Sequence, residues 1–182
     1  MDILAQLKSD HENVATLLDI LDDQVERVHK MEKADYDLMR DIMHYMTTYP
    51  DGFHHPMEDL VIEKLIERDP SCRDFALSLV KEHASLTKKS NALLEMLLKV
   101  IDGEIVLRKD IVARGADYIL ALRSHMQSEE ERLFPRAKEV LSEEDWNRIS
   151  DNIELQRDPV FGKIVEAQYR SICEFISLQS DG

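Results

Sequence analysis

Glycine and proline are scarce in this chain, five of each in 182 residues, about half of ordinary usage. Turn-dense all-β folds and low-complexity disorder both need more of them. Cysteine is scarcer still: Cys72 and Cys173 stand far apart, with no Cys-x-x-Cys pair. That leaves neither a thiolate zinc cluster nor a disulfide framework, and it fits a reducing compartment. No run of about 18 apolar residues occurs, and the N-terminus carries charge early and lacks a signal-peptide pattern. A cytoplasmic location is the expectation. Basic residues are outnumbered, 23 Lys and Arg against 37 Asp and Glu, for a net charge of −14. A chain this acidic has no broad basic face, so neither nucleic acid nor an anionic membrane is expected as a partner.

What the chain has is helical periodicity. Leu4, Leu7, His11, Val14, Leu18, Leu21, Val25 and Val28 recur at spacings of three and four, one stripe of an amphipathic helix. A second helix is expected from about Ala34 to Ile66, on a stripe of Leu38, Ile42, Tyr45, Tyr49, His54, Glu58, Val61 and Leu65. Pro50, Gly52 and Pro56 should kink or break it. After a turn at Asp69-Pro70-Ser71, a third helix carries Leu79, His83, Leu86, Ser90, Leu93, Leu97 and Val100, and Asp102-Gly103 closes it.

The fourth, about Glu104 to Ala137, carries Ile111, Gly115, Tyr118, Leu122, His125, Glu129 and Leu133, and Pro135 should end or bend it. Ser142 with Asp145 resembles a capping box opening a short helix to about Gln156. Asp158-Pro159 is expected to start a last helix ending near Leu178. The expected fold is all-α: an up-down-up-down four-helix bundle over residues 1–140, with two extra helices in 141–182 packed on it as part of the same domain. A monomer is expected, or a dimer through those last helices.

Six stripe positions hold polar residues where a bundle wants leucine. His11, His54, His83 and His125 come one from each long helix, and Glu58 and Glu129 each follow a histidine by four residues, on the same helix face. At a rise of 1.5 Å per residue the four histidines fall roughly 14–18 Å from one end of an antiparallel bundle, and the glutamates about 12 Å from it. A lone histidine on an apolar stripe is ordinarily a satisfied core residue. Six polar groups at one level cannot be left unpaired in a core, where each costs on the order of 2 kcal/mol or more.

A metal centre answers this. Imidazole and carboxylate without sulfur suit iron, manganese or zinc. One tetrahedral zinc would leave two ligands over, whereas two ions use all six if the glutamates bridge them and oxo, hydroxo or water completes the shells. Iron is the first choice, with manganese or zinc as alternatives.

These residues resemble the hemerythrin-like, or HHE cation-binding, family. The matching motifs are Asp10-His11-Glu12, Phe53-His54-His55-Pro56-Met57-Glu58-Asp59, Glu82-His83, and His125 to Pro135 with Glu129-Glu130-Glu131 inside it, one per helix and in order. Asp158-Pro159-Val160-Phe161-Gly162 is similar to an extension of bacterial members. The resemblance implies a non-haem di-iron centre meeting dioxygen, nitric oxide or peroxide, with His11, His54, Glu58, His83, His125 and Glu129 as ligands and the glutamates as bridges. Oxygen-carrying hemerythrins have a second histidine one turn along the third helix, where this chain has Thr87. That departure brings the chain nearer the four-His, two-carboxylate members linked to iron-sulfur repair, nitric oxide and iron sensing, and a role in sensing, storage or stress defence is the expectation. An enzyme, or an iron donor in repair of nitrosative or oxidative damage, is the alternative. A helical interaction module with a zinc or vestigial site is the third.

Other positions carry less. His55 with Asp59 repeats the four-residue spacing and is expected to support a ligand, to replace the missing one, or equally to lie on a solvated helix face. His44 is roughly 15 Å along the helix from His54, too far to ligate the same ion. Glu26-x-x-His29 and Asp41-x-x-His44 resemble the pairs of ferritin-like proteins but lie at different heights. Tyr45, Tyr49 and Tyr118 are expected to pack in the core, Glu130 and Glu131 to be solvated, and Trp146 to dock the fifth helix.

Overall fold

A computed structural model describes residues 2–153, 158–162 and 166–180. The described residues are mostly helical, with no strand among them. Helix α1 is Ile3–Lys30, α2 covers 36–68, α3 is Arg73–Ile101 and α4 covers 108–140; two short helices follow, α5 (Glu143–Asp151) and α6 (Arg170–Ser180). Each long helix packs on its sequence neighbours, and α4 closes the ring against α1. The four-helix bundle is therefore as expected. No helix among the described residues is long and apolar enough to cross a membrane.

Local chemistry sets the ends. Asp2 and Asp35 are N-caps, their carboxylates accepting from the backbone N–H of Ala5 and Leu38. Met31 and Gly103 end α1 and α3 in the left-handed region. Helix α4 begins at Arg108, not near Glu104: Ile105 is almost fully exposed, and Leu107 enters the helix in extended conformation. Ser142 and Asp145 make the capping box in both directions, so Ser142→Ala should cost about 1 kcal/mol. The far end of the α5 prediction, Gln156, lies outside the described residues. The last helix does not start at Asp158-Pro159. Residues 158–162 form a turn, held by Asp158 accepting from Val160 and Phe161 N–H at 2.8 Å each. The helix starts only at Arg170.

Proline does not break α2 or α4. Each helix widens into one π turn immediately before it, Pro50–His54 ahead of Pro56 and Glu129–Leu133 ahead of Pro135. His55 N–H then bonds to Pro50 O, and Phe134 N–H to Glu129 O, each five residues back. The wider turn takes up the strain that a proline ring places on the carbonyl four residues behind it. Because His54 stays inside the helix, its four-residue relation to Glu58 survives.

The apolar core is in two parts. One runs from Val14, Tyr49, Leu86 and Met126 toward one end of the bundle; the other runs from Leu7, Met57, Leu79 and Leu133 toward the opposite end. On every long helix the gap between them contains a predicted ligand. Helix α5 packs near the C-terminal part of α2, and α6 lies against its N-terminal half. Helices α1 and α4 pack closely at Gly115, where an added Cβ would lie 2.6 Å from Val25 Cγ2. Valine is stiff at χ1, and all three of its side-chain carbons face the glycine within 3.6 Å. Gly115→Ala should therefore lose roughly 1 kcal/mol, overpacking outweighing the gain in helix propensity. Chemical denaturation should show that loss reversed in the Gly115→Ala/Val25→Ala double variant.

Candidate metal centre

All six stripe residues meet in the gap between the two apolar clusters. His11, His54, His83 and His125 are each at most 5% exposed, and Glu58 and Glu129 are fully buried. The two glutamates stand between histidines on opposite sides. Glu58 Oε1 is 3.1 Å from His54 Nε2 and 3.4 Å from His11 Nε2, while its Oε2 is 3.5 Å from His83 Nε2. Glu129 Oε2 is 3.5 Å from His11 Nε2, while its Oε1 is 3.2 Å from His125 Nε2 and 3.5 Å from His83 Nε2. Each carboxylate thus turns one oxygen to each side. Donors bound to one ion at about 2.1 Å stand about 3.0 Å apart in an octahedron and about 3.4 Å apart in a tetrahedron. The spacings here match.

A seventh residue joins them. His55 is 5% exposed and its ring stacks on His83, centroids 4.5 Å apart and planes at 9°. Two sets of donor atoms converge closely enough to share an ion: His11, His54 and Glu58 on one side, and His55, Glu58, His83 and His125 on the other. Glu58 belongs to both. Among the described residues, the buried side-chain nitrogens and oxygens without a hydrogen bond are all in this layer. They are Nε2 of His11, His83 and His125, Nδ1 of His55, and both oxygens of Glu58 and of Glu129. Each unmet group costs about 1–3 kcal/mol, and more when charged. A cation is the partner that would satisfy the inward-facing imidazole nitrogens and the four carboxylate oxygens together; His55 Nδ1 instead faces Asp51.

Behind the histidines runs a closed ring of carboxylates. Glu130 on α4 accepts from His11 Nδ1 on α1 at 2.9 Å; Asp10 on α1 accepts from His54 on α2 at 3.1 Å. Asp59 on α2 accepts from His83 on α3 at 2.9 Å, and Glu82 on α3 from His125 on α4 at 3.0 Å. Each acid lies next in sequence to a candidate ligand of its own helix and serves the following helix around the bundle. Asp51, held by the Ser90 hydroxyl at 2.8 Å, stands 3.3 Å from His55 Nδ1. Such partners fix each ring so that Nε2 faces inward.

One expectation is corrected here: Glu130 is 50% exposed, but besides meeting solvent it is bonded to His11. Asp59 supports the candidate ligand His83. Asp59→Asn should weaken metal retention about 10–100-fold, read by competition with a chromophoric chelator.

The electrostatics follow from the pairing. Burial disfavours the imidazolium of His11, but the facing carboxylates of Glu129 and Glu58 outweigh it and raise the pKa to about 10. The same opposition raises His54 to about 9 and, with Asp59 as its strongest partner, His83 to about 11. Burial and the neighbouring Glu58 push Glu129 upward, yet His11, His125 and His83 together hold it down to about 2. Burial lowers His55.

The remaining candidates lie elsewhere. His44 is exposed and shares a 2.9 Å hydrogen bond with Tyr169. Glu26 pairs with Lys30, and Asp41 with Arg40 and Ser171. Tyr118 is core, and Trp146 packs on the second apolar cluster. Between α1 and α4 a cavity of about 300 Å³ reaches His11, lined also by Glu12, Arg123, Met126 and Glu130. The sequence model of the hemerythrin HHE cation-binding domain matches residues 2–137. No curated protein sequence matches the chain.

Proposed function

Because the chain belongs to the hemerythrin HHE cation-binding domain family, we propose that its buried layer holds two irons and that the protein binds or responds to O2, NO or peroxide. In this reading His11 and His54 hold one ion, and His55, His83 and His125 hold the other. Glu58 and Glu129 lie between them. His55 on α2 then does the work for which the third helix offers only Thr87. The observation that carries the reading is the orientation of the two glutamates, each with one oxygen toward His11 and the other toward His83.

Bound iron supplies a redox-active Lewis acid with a position open to a diatomic or a peroxide. The protein's part is placement. Two histidines on one side against three on the other leave the His11 side short of a ligand, and that side faces the cavity between α1 and α4. The carboxylate ring holds every ring nitrogen in register, and the two apolar clusters keep bulk water off the layer.

Metal content per chain, measured by mass spectrometry on untagged protein expressed with added iron, tests the dinuclear part. Close to two irons supports it; one zinc, or substoichiometric mixed metal, overturns it. Adding O2, NO or peroxide to the reduced iron-loaded protein should then change its visible spectrum stoichiometrically. An unchanged spectrum with all three would overturn the small-ligand part.

A further inference from the structure

Outside the span that matches the family, the chain is joined back to the metal layer through tyrosines. Asp10, which accepts from His54 at 3.1 Å, also accepts from the Tyr49 hydroxyl at 3.4 Å. The Tyr49 ring stacks on Tyr45, centroids 5.7 Å apart, and Tyr45 meets Tyr169 edge-on at 6.1 Å. Tyr169 shares its hydrogen bond with His44, which is exposed. Three of the chain's five tyrosines thus form an unbroken aromatic path from a candidate ligand to the surface. The inner two rings each have a carboxylate at the hydroxyl, Asp10 for Tyr49 and Asp158 for Tyr45 at 3.0 Å. Asp158 is aimed inward by the 158–162 turn and also accepts from Asn13.

We propose that Tyr49, Tyr45 and Tyr169 are a one-electron relay between the metal layer and the surface at His44, completed by the C-terminal extension. The physical requirement is the carboxylates. A phenol that loses an electron becomes a strong acid, and a positive charge stranded in a core is costly. Asp10 and Asp158 receive that proton along an existing hydrogen bond and return it when the electron is replaced. Core packing alone needs an acceptor for each hydroxyl, but it needs neither two carboxylates nor a path that continues to solvent.

Hydrogen peroxide is the oxidant that closes the balance. Its O–O bond breaks as it takes one electron from each of two tyrosines and two protons from solvent, and two waters form while the phenol protons rest on Asp10 and Asp158. A soluble one-electron reductant of the ascorbate class, acting at the His44 end, then returns one electron to each phenoxyl, and the two carboxylates return the protons.

The relay rests on the iron reading only for that oxidant, and the test separates the two. In the protein as isolated, whatever metal it carries, a photoexcited ruthenium–bipyridine complex with persulfate supplies one-electron oxidant from solution. Peptide mass spectrometry should find Tyr45 and Tyr49 oxidised. That oxidation should be lost in Tyr169→Phe and kept in Tyr118→Phe, a change in an equally buried ring off the path. Oxidation of Tyr45 and Tyr49 that is absent in the wild type, or unchanged in Tyr169→Phe, overturns the relay.

In the iron-loaded protein, freeze-quenching with hydrogen peroxide should give a phenoxyl radical by electron paramagnetic resonance. Tyr49→Phe should lose it, as should Asp158→Asn, which keeps a hydrogen-bonding group but removes the base. A radical that persists in both overturns the relay. Failure to load iron overturns the proposed function instead and leaves the ruthenium experiment to decide the relay.

Discussion

Glu58→Gln is expected to strip metal from both sides of the layer, whereas His54→Ala should take it from one. The difference comes from where the donors converge. Glu58 is the residue common to both sets, with Oε1 on the His11 and His54 side and Oε2 on the His83 side. Glutamine offers one oxygen and an N–H pair that cannot ligate, so at least one side faces a repelling donor whichever way the amide turns. His54 touches only its own side; the set of His55, His83 and His125 is intact without it. Metal content should therefore fall from two ions to one in His54→Ala and below one in Glu58→Gln. Stability gives an independent reading. An ion present at about a thousandfold over its Kd contributes about 4 kcal/mol. At about 2–4 °C per kcal/mol for a chain of this size, each ion adds roughly 10 °C, so two ions open a Tm gap of roughly 20 °C between loaded and chelated protein. The gap should close in Glu58→Gln and narrow in His54→Ala. Two ions retained in Glu58→Gln would sink the shared-carboxylate arrangement.

The bundle and the level of its polar layer were legible because both are matters of period and length. An apolar stripe at 3.6 residues per turn specifies a helix face, and 1.5 Å per residue converts sequence position into height. Those two rules put His11, His54, His83 and His125 together. The carboxylate ring was not legible in the same way. Asp10, Asp59, Glu82 and Glu130 each sit one residue from a candidate ligand, about 100° off the inward stripe, where an acid ordinarily faces water. Only the position of the next helix turns that direction into a contact. The signal was the repeated pairing of an acid with a ligand on every helix, and it becomes meaningful once the helices form a ring. His55 was hidden for a related reason. Consecutive helix residues rarely both face a core, but the π turn ahead of Pro56 lets His54 and His55 both be buried. The start of α6 was misplaced because Asp158-Pro159 reads equally well as a helix N-terminus or a turn. The Asp158 carboxylate, bonded to its own following N–H groups and to Tyr45, selects the turn.

Acidification should weaken metal retention steeply, and the chelated and loaded proteins should respond to pH differently. Without metal, His11, His54 and His83 are raised from 6.5 to about 10, 9 and 11, so they are imidazolium at neutral pH and balance the buried glutamates. A raised folded-state pKa contributes stability that is complete below the unfolded value and is lost as pH climbs toward the folded one. That part fades from about 6.5 upward. Glu129, lowered from 4.5 to about 2, contributes stability that is complete above 4.5 and lost as pH falls toward 2. Chelated protein should accordingly be most stable between about pH 4.5 and 6.5.

Loaded protein does not share that alkaline loss: with its histidines free of protons, its stability rises with pH up to about 6.5 and is level above. A cation must displace those protons, so each one displaced makes the apparent affinity rise on the order of tenfold per pH unit up to its folded-state pKa. The Tm gap between loaded and chelated protein should widen from pH 5 to pH 9. Titration calorimetry in buffers of different ionisation heat should find protons released on metal addition at pH 7. A gap that is flat or that narrows with pH, or uptake without proton release, would mean that the histidines are not the groups a metal displaces. Glu58 and Glu129 would then be balanced by the imidazoliums alone, and the layer would be a buried ion-pair network that uses its histidines for structure.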